Sequence, residues 1–207
     1  MPPTARPHGH ARPPHSASPC RLRREMPPVI IVVMGVAGAG KTTVGSALAR
    51  ALGWPFVDGD DVHPPANLEK MRRGEPLDDD DRTPWLEALG RLMAGMDGKG
   101  ENAVFACSAL REGYRAKLTE SSPRTLWVYL RAEPAAIRAR LAARRDHFAA
   151  ESLIDSQFAT LEEPRYGLAL DAAQPVEAIV AQVLTELRSL DTQSVGHKNV
   201  GARRPTG

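Results

Sequence analysis

Val29-Ile-Ile-Val-Val-Met34-Gly35-Val-Ala-Gly38-Ala-Gly40-Lys41-Thr42 is the stretch on which the fold turns. Its first half is an unbroken run of apolar, mostly β-branched side chains, short enough to be a strand covered on both faces. Its second half matches G-x-x-x-x-G-K-[ST] at every position. Glycines let main-chain N–H groups turn inward around phosphate oxygens, and a helix starting at Lys41 adds the partial positive charge of its N-terminus. Lys41 has the reach and charge to meet the β- and γ-phosphates of a nucleotide, and the Thr42 hydroxyl suits Mg²⁺. Strand, loop and helix form the setting that the motif requires. Gly35, Val36, Ala37, Gly38, Ala39, Gly40, Lys41, Thr42 and Thr43 are therefore the expected nucleotide-binding set. The motif leaves the phosphate acceptor open.

Outward from this loop, short apolar runs alternate with helical patterns. Lys41–Leu52 reads as a helix with Val44, Ala47, Leu48 and Ala51 on one face. Residues 55–57 read as a short strand. Trp85, Leu86, Leu89, Leu92, Met93 and Met96 mark a long helix, with Thr83-Pro84 as its N-cap and first residue. Strands are expected at 103–106 and 126–130, with a helix near 112–120 between them. Helices at 134–143 and 152–161 flank a basic connector. A last strand at 168–170 and a closing helix at 176–190 complete the pattern. Repeated strand-then-helix units predict a three-layer α/β fold, a parallel sheet with helices on both faces and a short lid at about 140–152.

Asp58-Gly-Asp60-Asp61-Val-His63 ends the second strand. Ligands of open α/β sheets lie beyond the carboxyl ends of the strands, so these carboxylates are expected to face the phosphate loop. Asp58 suits Mg²⁺, directly or through water. Asp60 suits an attacking hydroxyl, as its base or as its orienting group. Two residues apart on a continuing strand, the two carboxylates would share a face. His63 either touches substrate or caps the next helix. The Asp78–Asp81 run reads as acids ahead of a helix N-terminus.

Composition sets the frame. Hydrophobic residues at 42% and charged residues at 25% fit a globular chain. No apolar run is long enough to span a bilayer, so no membrane partner is expected. The formal charge of +2 divides unevenly. Residues 1–27 carry five Arg against one Glu, and residues 191–207 carry Lys198, Arg203 and Arg204 against Asp191. The positive charge lies in these tails and the part between them is acidic, which argues against a nucleic-acid surface. Both tails are poor in apolar residues and read as disordered or loose, which leaves a single domain over 28–190. Met26 precedes the first strand directly, so the residues before it read as an upstream extension. Two cysteines, Cys20 and Cys107, form no disulfide framework, and a reducing cytoplasm is the expected compartment.

Gly35–Thr42, Asp58–Pro64, Asn67, Lys70-Met71, Gly74–Leu77, Asp79, Asp81–Leu86, Cys107–Arg111 and Tyr114-Arg115 together resemble the thermoresistant gluconokinase family. Arg140-Leu141, His147-Phe148, Ser156-Gln157 and Thr160–Glu162 extend the resemblance over essentially all of 28–190. It implies a nucleoside-kinase-like P-loop fold, ATP and Mg²⁺ as cofactors, gluconate as acceptor, 6-phosphogluconate as product, and a homodimer. It also implies that Arg140 lies against adenine and that Arg144 or Arg145 in the basic connector approaches the phosphates, so Lys41, Asp60 and Arg144 form the expected catalytic set. Ala37 and Ala39 stand where many relatives carry Ser, which leaves the main-chain cradle intact.

A sugar acid needs a cation for its carboxylate and polar groups for its hydroxyls. Lys70, Arg82, Arg111 and Arg115 are the candidates for the first task; Asp60, His63 and Ser108 suit the second. Two other readings remain open at this point: a shikimate- or nucleotide-type kinase on the same fold, and a nucleotide-binding module without catalysis. A guanine-reading N-K-x-D signature is absent, which weighs against a GTPase switch.

Overall fold

Strand β1 (Ile30–Met34) is the middle strand of a five-stranded parallel sheet in the order β2-β3-β1-β4-β5, with β2 at Phe56–Asp58, β3 at Ala103–Ala106, β4 at Thr125–Arg131 and β5 at Leu168–Asp171. The computed structural model describes residues 29–73, 75–142 and 148–196. Seven α-helices cover the sheet among these residues: α1 (Lys41–Leu52), α2 (Pro65–Arg72), α3 (Asp79–Gly98), α4 (Glu112–Ser121), α5 (Pro134–Ala142), α6 (Phe148–Thr160) and α7 (Val176–Gly196).

Alternation along β1 explains the three layers. Ile31 and Val33 face a core built with Val44 and Leu48 of α1 and Ile179, Val183 and Leu187 of α7. Ile30, Val32 and Met34 face the opposite core, with Trp85, Leu86, Leu89 and Met93 of α3 and Leu118 of α4. All five residues of β1 are buried, as a strand with helices on both sides must be. Each such side chain contributes about 1.5–3 kcal/mol relative to exposure.

Register places the functional loops together. Val33 and Asp58 both pair with Ala106, so β1, β2 and β3 end at one level. The loop after β1, the turn after β2 and the segment starting at Cys107 therefore leave the sheet side by side at its carboxyl edge.

Four local expectations are corrected. The strand β2 stops at Asp58, and Gly59–Val62 forms a 3-10 turn, so Asp58 and Asp60 do not share a strand face. The Asp58 side chain caps this turn by accepting the N–H of Asp60 at 3.1 Å. The turn packs so closely on β3 that a Cβ at Gly59 would lie 2.7 Å from the Ala106 carbonyl oxygen. Helix α3 begins at Asp79, not at Pro84. Asp78 is its N-cap and forms a reciprocal capping box with Asp81, which satisfies the main-chain N–H groups of both residues, while the Thr83 hydroxyl donates to the Asp79 carbonyl inside the helix. Pro84 sits inside the helix, where it removes a single donor. Helix α2 has no counterpart in the expected pattern, and α7 runs on to Gly196, past the boundary expected at Leu190.

Candidate active site

The phosphate loop joins the buried end of β1 to α1. Gly40 is the N-cap of α1 with φ +98°, a left-handed conformation that an L side chain would strain, and no side chain caps the helix. The first N–H groups of α1 are thus left for a ligand. Val36 and Ala39 turn their side chains into the core, which anchors the loop from below. Lys41 Nζ donates to the Val36 carbonyl at 3.0 Å. Burial lowers the pKa of Lys41, while the charge of Asp60 chiefly opposes that shift.

Thr42 Oγ1 donates to Asp58 Oδ2 at 2.8 Å, and Asp58 Oδ1 accepts the Asp60 N–H. Asp58 therefore ties the phosphate loop to the turn that carries Asp60. Burial raises the pKa of Asp60 above the ordinary carboxylate range; Lys41 opposes the rise and Asp58 and Asp61 add to it. A carboxylate made more basic beside a buried ammonium is suited to take a proton from a hydroxyl. Cys107, also buried here, has its thiol pushed up to about 12 by burial, so it is a neutral thiol and no nucleophile.

Ala37, Gly38, Gly40, Lys41, Thr42 and Thr43 line a hollow of about 390 Å³. Asp60, His63, Met71, Glu75, Leu77, Arg82, Trp85, Ser108 and Gln157 line the rest of it. A second hollow of about 490 Å³ shares Leu77 and Arg82 with the first and adds Asp78, Asp79, Asp80, Arg111, Ser156 and Thr160. At the junction, Arg82 and Arg111 lie 5.9 and 5.8 Å from the Tyr114 ring centre. Both meet Asp79, Arg111 at 2.6 Å and Arg82 at 3.8 Å, and the Tyr114 hydroxyl donates to the same carboxylate. Asp79 balances one of the two guanidinium charges, and the one positive charge left over suits an anionic group between the hollows.

Not every expected site residue reaches this space. Lys70 is committed to Asp81, 2.7 Å from each carboxylate oxygen, and does not line the hollow. Arg115 is only 1% exposed and points away into the protein, bonded to the carbonyls of Ala109, Leu110 and Glu162. A guanidinium spent on main-chain carbonyls is structural, so the expectation that Arg115 meets a substrate is corrected. Arg140 Nη2 donates to the Ala172 carbonyl at 2.8 Å, at the turn after β5. Arg144 and Arg145 lie outside the described residues.

Other residues enter the site with no role assigned from sequence. Gln157 of α6 accepts the Ala37 N–H at 2.6 Å through Oε1, occupying a donor of the phosphate cradle. Trp85 stacks on His63 with ring centres 4.4 Å apart and 9° between planes, and donates from Nε1 to the Gly59 carbonyl at 2.7 Å. Asn67 Nδ2 meets the edge of the His63 ring at Nδ1, 3.3 Å away. These contacts join positions distant in sequence, and no spacing signals them.

Thr42 and Asp58 offer one hydroxyl and one carboxylate, hard oxygen donors that fit a divalent cation. Among the described residues no group of three His, Cys, Asp or Glu could hold a metal. An ion at Thr42 and Asp58 would take its remaining ligands from phosphate oxygens and water, the arrangement Mg²⁺ favours. No helix among the described residues is long and apolar enough to cross a membrane.

Comparison with known proteins places this geometry. Residues 37–187 match a family described as shikimate kinase. The thermoresistant gluconokinase of Escherichia coli (strain K12) is 41% identical over 163 residues, covering 77% of this chain and 93% of the relative. The gluconokinase of Gluconobacter oxydans (strain 621H) is 45% identical over 137 residues, covering 66% of this chain and 77% of the relative. The crystal structure of a gluconokinase from Sinorhizobium meliloti 1021 superimposes with a TM-score of 0.74 at 44% identity, covering 82% of this chain and 97% of that one.

Proposed function

This chain belongs to the shikimate kinase family and within it groups with the gluconokinases, and we propose that it transfers the γ-phosphate of ATP to the C6 hydroxyl of D-gluconate, giving ADP and 6-phospho-D-gluconate. The observation that carries the reading is a complete phosphate loop opposed, across one hollow, by Asp60 and by Arg82 at the opening to Arg111. The first pair of features serves phosphoryl transfer; the guanidinium pair serves the carboxylate of a sugar acid.

In this reading the loop N–H groups and Lys41 hold the β- and γ-phosphates and neutralise the charge that spreads over the transferred group. Asp60 orients the C6 hydroxyl and takes its proton as the new O–P bond forms and the bond to the β-phosphate oxygen breaks. Arg82 and Arg111 hold the gluconate carboxylate, with His63 and Ser108 against its hydroxyls. Mg²⁺ at Thr42 and Asp58 would supply electrostatic stabilisation of the phosphate oxygens. Arg140 serves adenine, and Arg144 or Arg145 serves the phosphates. The proposal includes a homodimer, supported by resemblance to the gluconokinases, and the cytoplasm, supported by the free buried thiol of Cys107.

The test is ATP consumption with gluconate, shikimate and nucleoside monophosphates in parallel, with 6-phosphogluconate identified by mass. Gluconate is expected to exceed each competitor by about 100-fold or more in kcat/KM, since sites that pair substrate polar groups reject molecules that leave them unpaired. Preference for shikimate at that ratio would replace the acceptor and keep the kinase. ATP binding with no transfer to any acceptor would leave a nucleotide-binding module.

A further inference from the structure

We propose that Asn67 is a positioning residue that fixes His63 as the Nε2–H tautomer, so that His63 presents a neutral N–H donor to an oxygen of the acceptor. The inference rests on the reading of the hollow as the acceptor site and adds the protonation geometry of its wall.

The assignment follows from one main-chain carbonyl. Asn67 Nδ2 lies 2.6 Å from the Asp81 carbonyl oxygen, which can only accept. That contact sets the orientation of the amide, because the flipped form would place two oxygens together. The same Nδ2 lies 3.3 Å from His63 Nδ1. It carries two hydrogens, one for each neighbour, so Nδ1 must accept and the ring proton must sit on Nε2. A proton on Nδ1 would set donor against donor at a buried contact.

The ring has little freedom to escape this arrangement. Trp85, itself pinned to the Gly59 carbonyl, fixes the ring plane by stacking, and Asn67 fixes rotation within that plane. Nε2 has no protein partner among the described residues and is not among their buried unpaired atoms, while His63 lines the hollow. The nitrogen that carries the proton is thus the one left for a ligand. Charge does not replace this proton with two. Burial, with Arg82 adding to it, lowers the pKa of His63 to about 4. The other charged groups of the same hollow are Lys41, Asp60 and Glu75. A neutral N–H suits a hydroxyl or carboxylate oxygen and does not compete with Asp60 for the proton of the attacking hydroxyl.

The experiment reads the tautomer directly in the full chain. Two-bond ¹⁵N–¹H correlation spectra distinguish a protonated from an unprotonated ring nitrogen, and the His63 signals are those lost in His63→Gln. At pH 7 the wild type is expected to show an unprotonated Nδ1 and a protonated Nε2, unchanged on acidification to about pH 5. An Nδ1–H pattern, or averaged signals, overturns the proposal. In Asn67→Asp the carboxylate accepts from Nδ1–H, so the ring proton should move from Nε2 to Nδ1 and the Nε2–H donor should be lost. The KM for gluconate should rise about tenfold with the KM for ATP within about twofold, as loss of one oriented hydrogen bond predicts. An Asn67→Asp protein that keeps the wild-type ring pattern also overturns it. That variant loses its donor to Asp81 as well, so its melting temperature is read alongside; if it fails to fold, the wild-type spectrum decides. Inactivity of the wild type on gluconate, with the Nε2–H form present, counts against the acceptor and leaves the role of Asn67 standing.

Discussion

Replacing Arg115 by Met is expected to destabilise the fold by about 4 kcal/mol while leaving the KM for gluconate within about twofold. Arg115 is 1% exposed, and each nitrogen of its guanidinium has partners. Nη1 donates to the carbonyls of Ala109 at 2.9 Å and Leu110 at 3.0 Å. Nη2 donates to the Glu162 carbonyl at 2.8 Å and to Glu112 at 2.7 Å, and Nε reaches Glu112 and the Tyr166 hydroxyl. Met fills most of the volume, so the cavity is small. The Leu110 carbonyl keeps the N–H of Glu162. The carbonyls of Ala109 and Glu162 lose the donor that Arg115 gives them, at about 1–3 kcal/mol each. Glu112 is half exposed, so water takes over its hydrogen bonds and it adds little.

The loss corresponds to a drop of about 10 °C in melting temperature for a domain of this size. Ala109 adds a second consequence. It holds φ 39°, a left-handed conformation costly for a residue with a side chain, and its carbonyl is bonded to Arg115. Freed from that bond, the segment that carries Ser108 can relax, so kcat should fall a few-fold. Urea unfolding followed by tryptophan fluorescence, with steady-state kinetics on gluconate, measures both. Arg115→Lys should rescue little, because an ammonium cannot serve carbonyls spread around a planar fork. A stability loss below about 1 kcal/mol with a tenfold rise in the KM for gluconate would refute the structural role and return Arg115 to the substrate.

Lys41→Ala should lower kcat by about 10³ or more with an unchanged circular dichroism spectrum, because charge at the phosphates is lost and no core is opened; turnover within a few-fold of wild type is the opposing result. Asp60→Asn should lower kcat by several orders of magnitude with ATP binding, read by titration calorimetry, little changed. Since the folded pKa of Asp60 is raised by burial, the unprotonated base is lost as pH falls through a value above the ordinary carboxylate range. The acid limb of kcat/KM should lie there and vanish in Asp60→Asn; its persistence would assign the limb elsewhere. Arg144→Ala combined with Arg145→Ala should lower kcat more than it raises the KM for gluconate, as expected of charges that act on the transition state, and a rise in KM alone would move these residues to the acceptor.

The phosphate loop was legible because all its information is local: a buried strand, glycines at fixed offsets and a lysine opening a helix occupy consecutive positions. The parallel sheet was legible because the apolar runs of β1, β3 and β4 alternate with helical patterns, which is the order a parallel sheet requires. Arg115 was misread because residue type tells what a side chain can bind and not which way it points. Arg82 and Arg115 look alike in sequence, yet one lines the hollow and the other is buried on main-chain carbonyls. The helix start at Asp79 was hidden by the stronger local signal of Thr83-Pro84, and the capping box between Asp78 and Asp81 outweighed it. The turn at Gly59–Val62 does have a local signal, since Asp58-Gly59 is a turn-marking pair and Asp60-Asp61 disfavours a strand; close approach to Ala106 adds to it.

The parts of the site that sequence missed share a physical cause, which is visible in α2. This helix is eight residues long, too short to be stable on intrinsic propensity. It is also mostly exposed, and its single buried residue is polar, Asn67. No apolar face therefore fastens it to the sheet, and no apolar periodicity betrays it in sequence. What fastens it is Asp81: Asn67 bonds its carbonyl and Lys70 bonds both oxygens of its carboxylate. Asp81 is at the same time the third residue of α3 and half of its capping box. One aspartate thus closes the start of α3, anchors α2 and, through the amide of Asn67, sets the ring of His63.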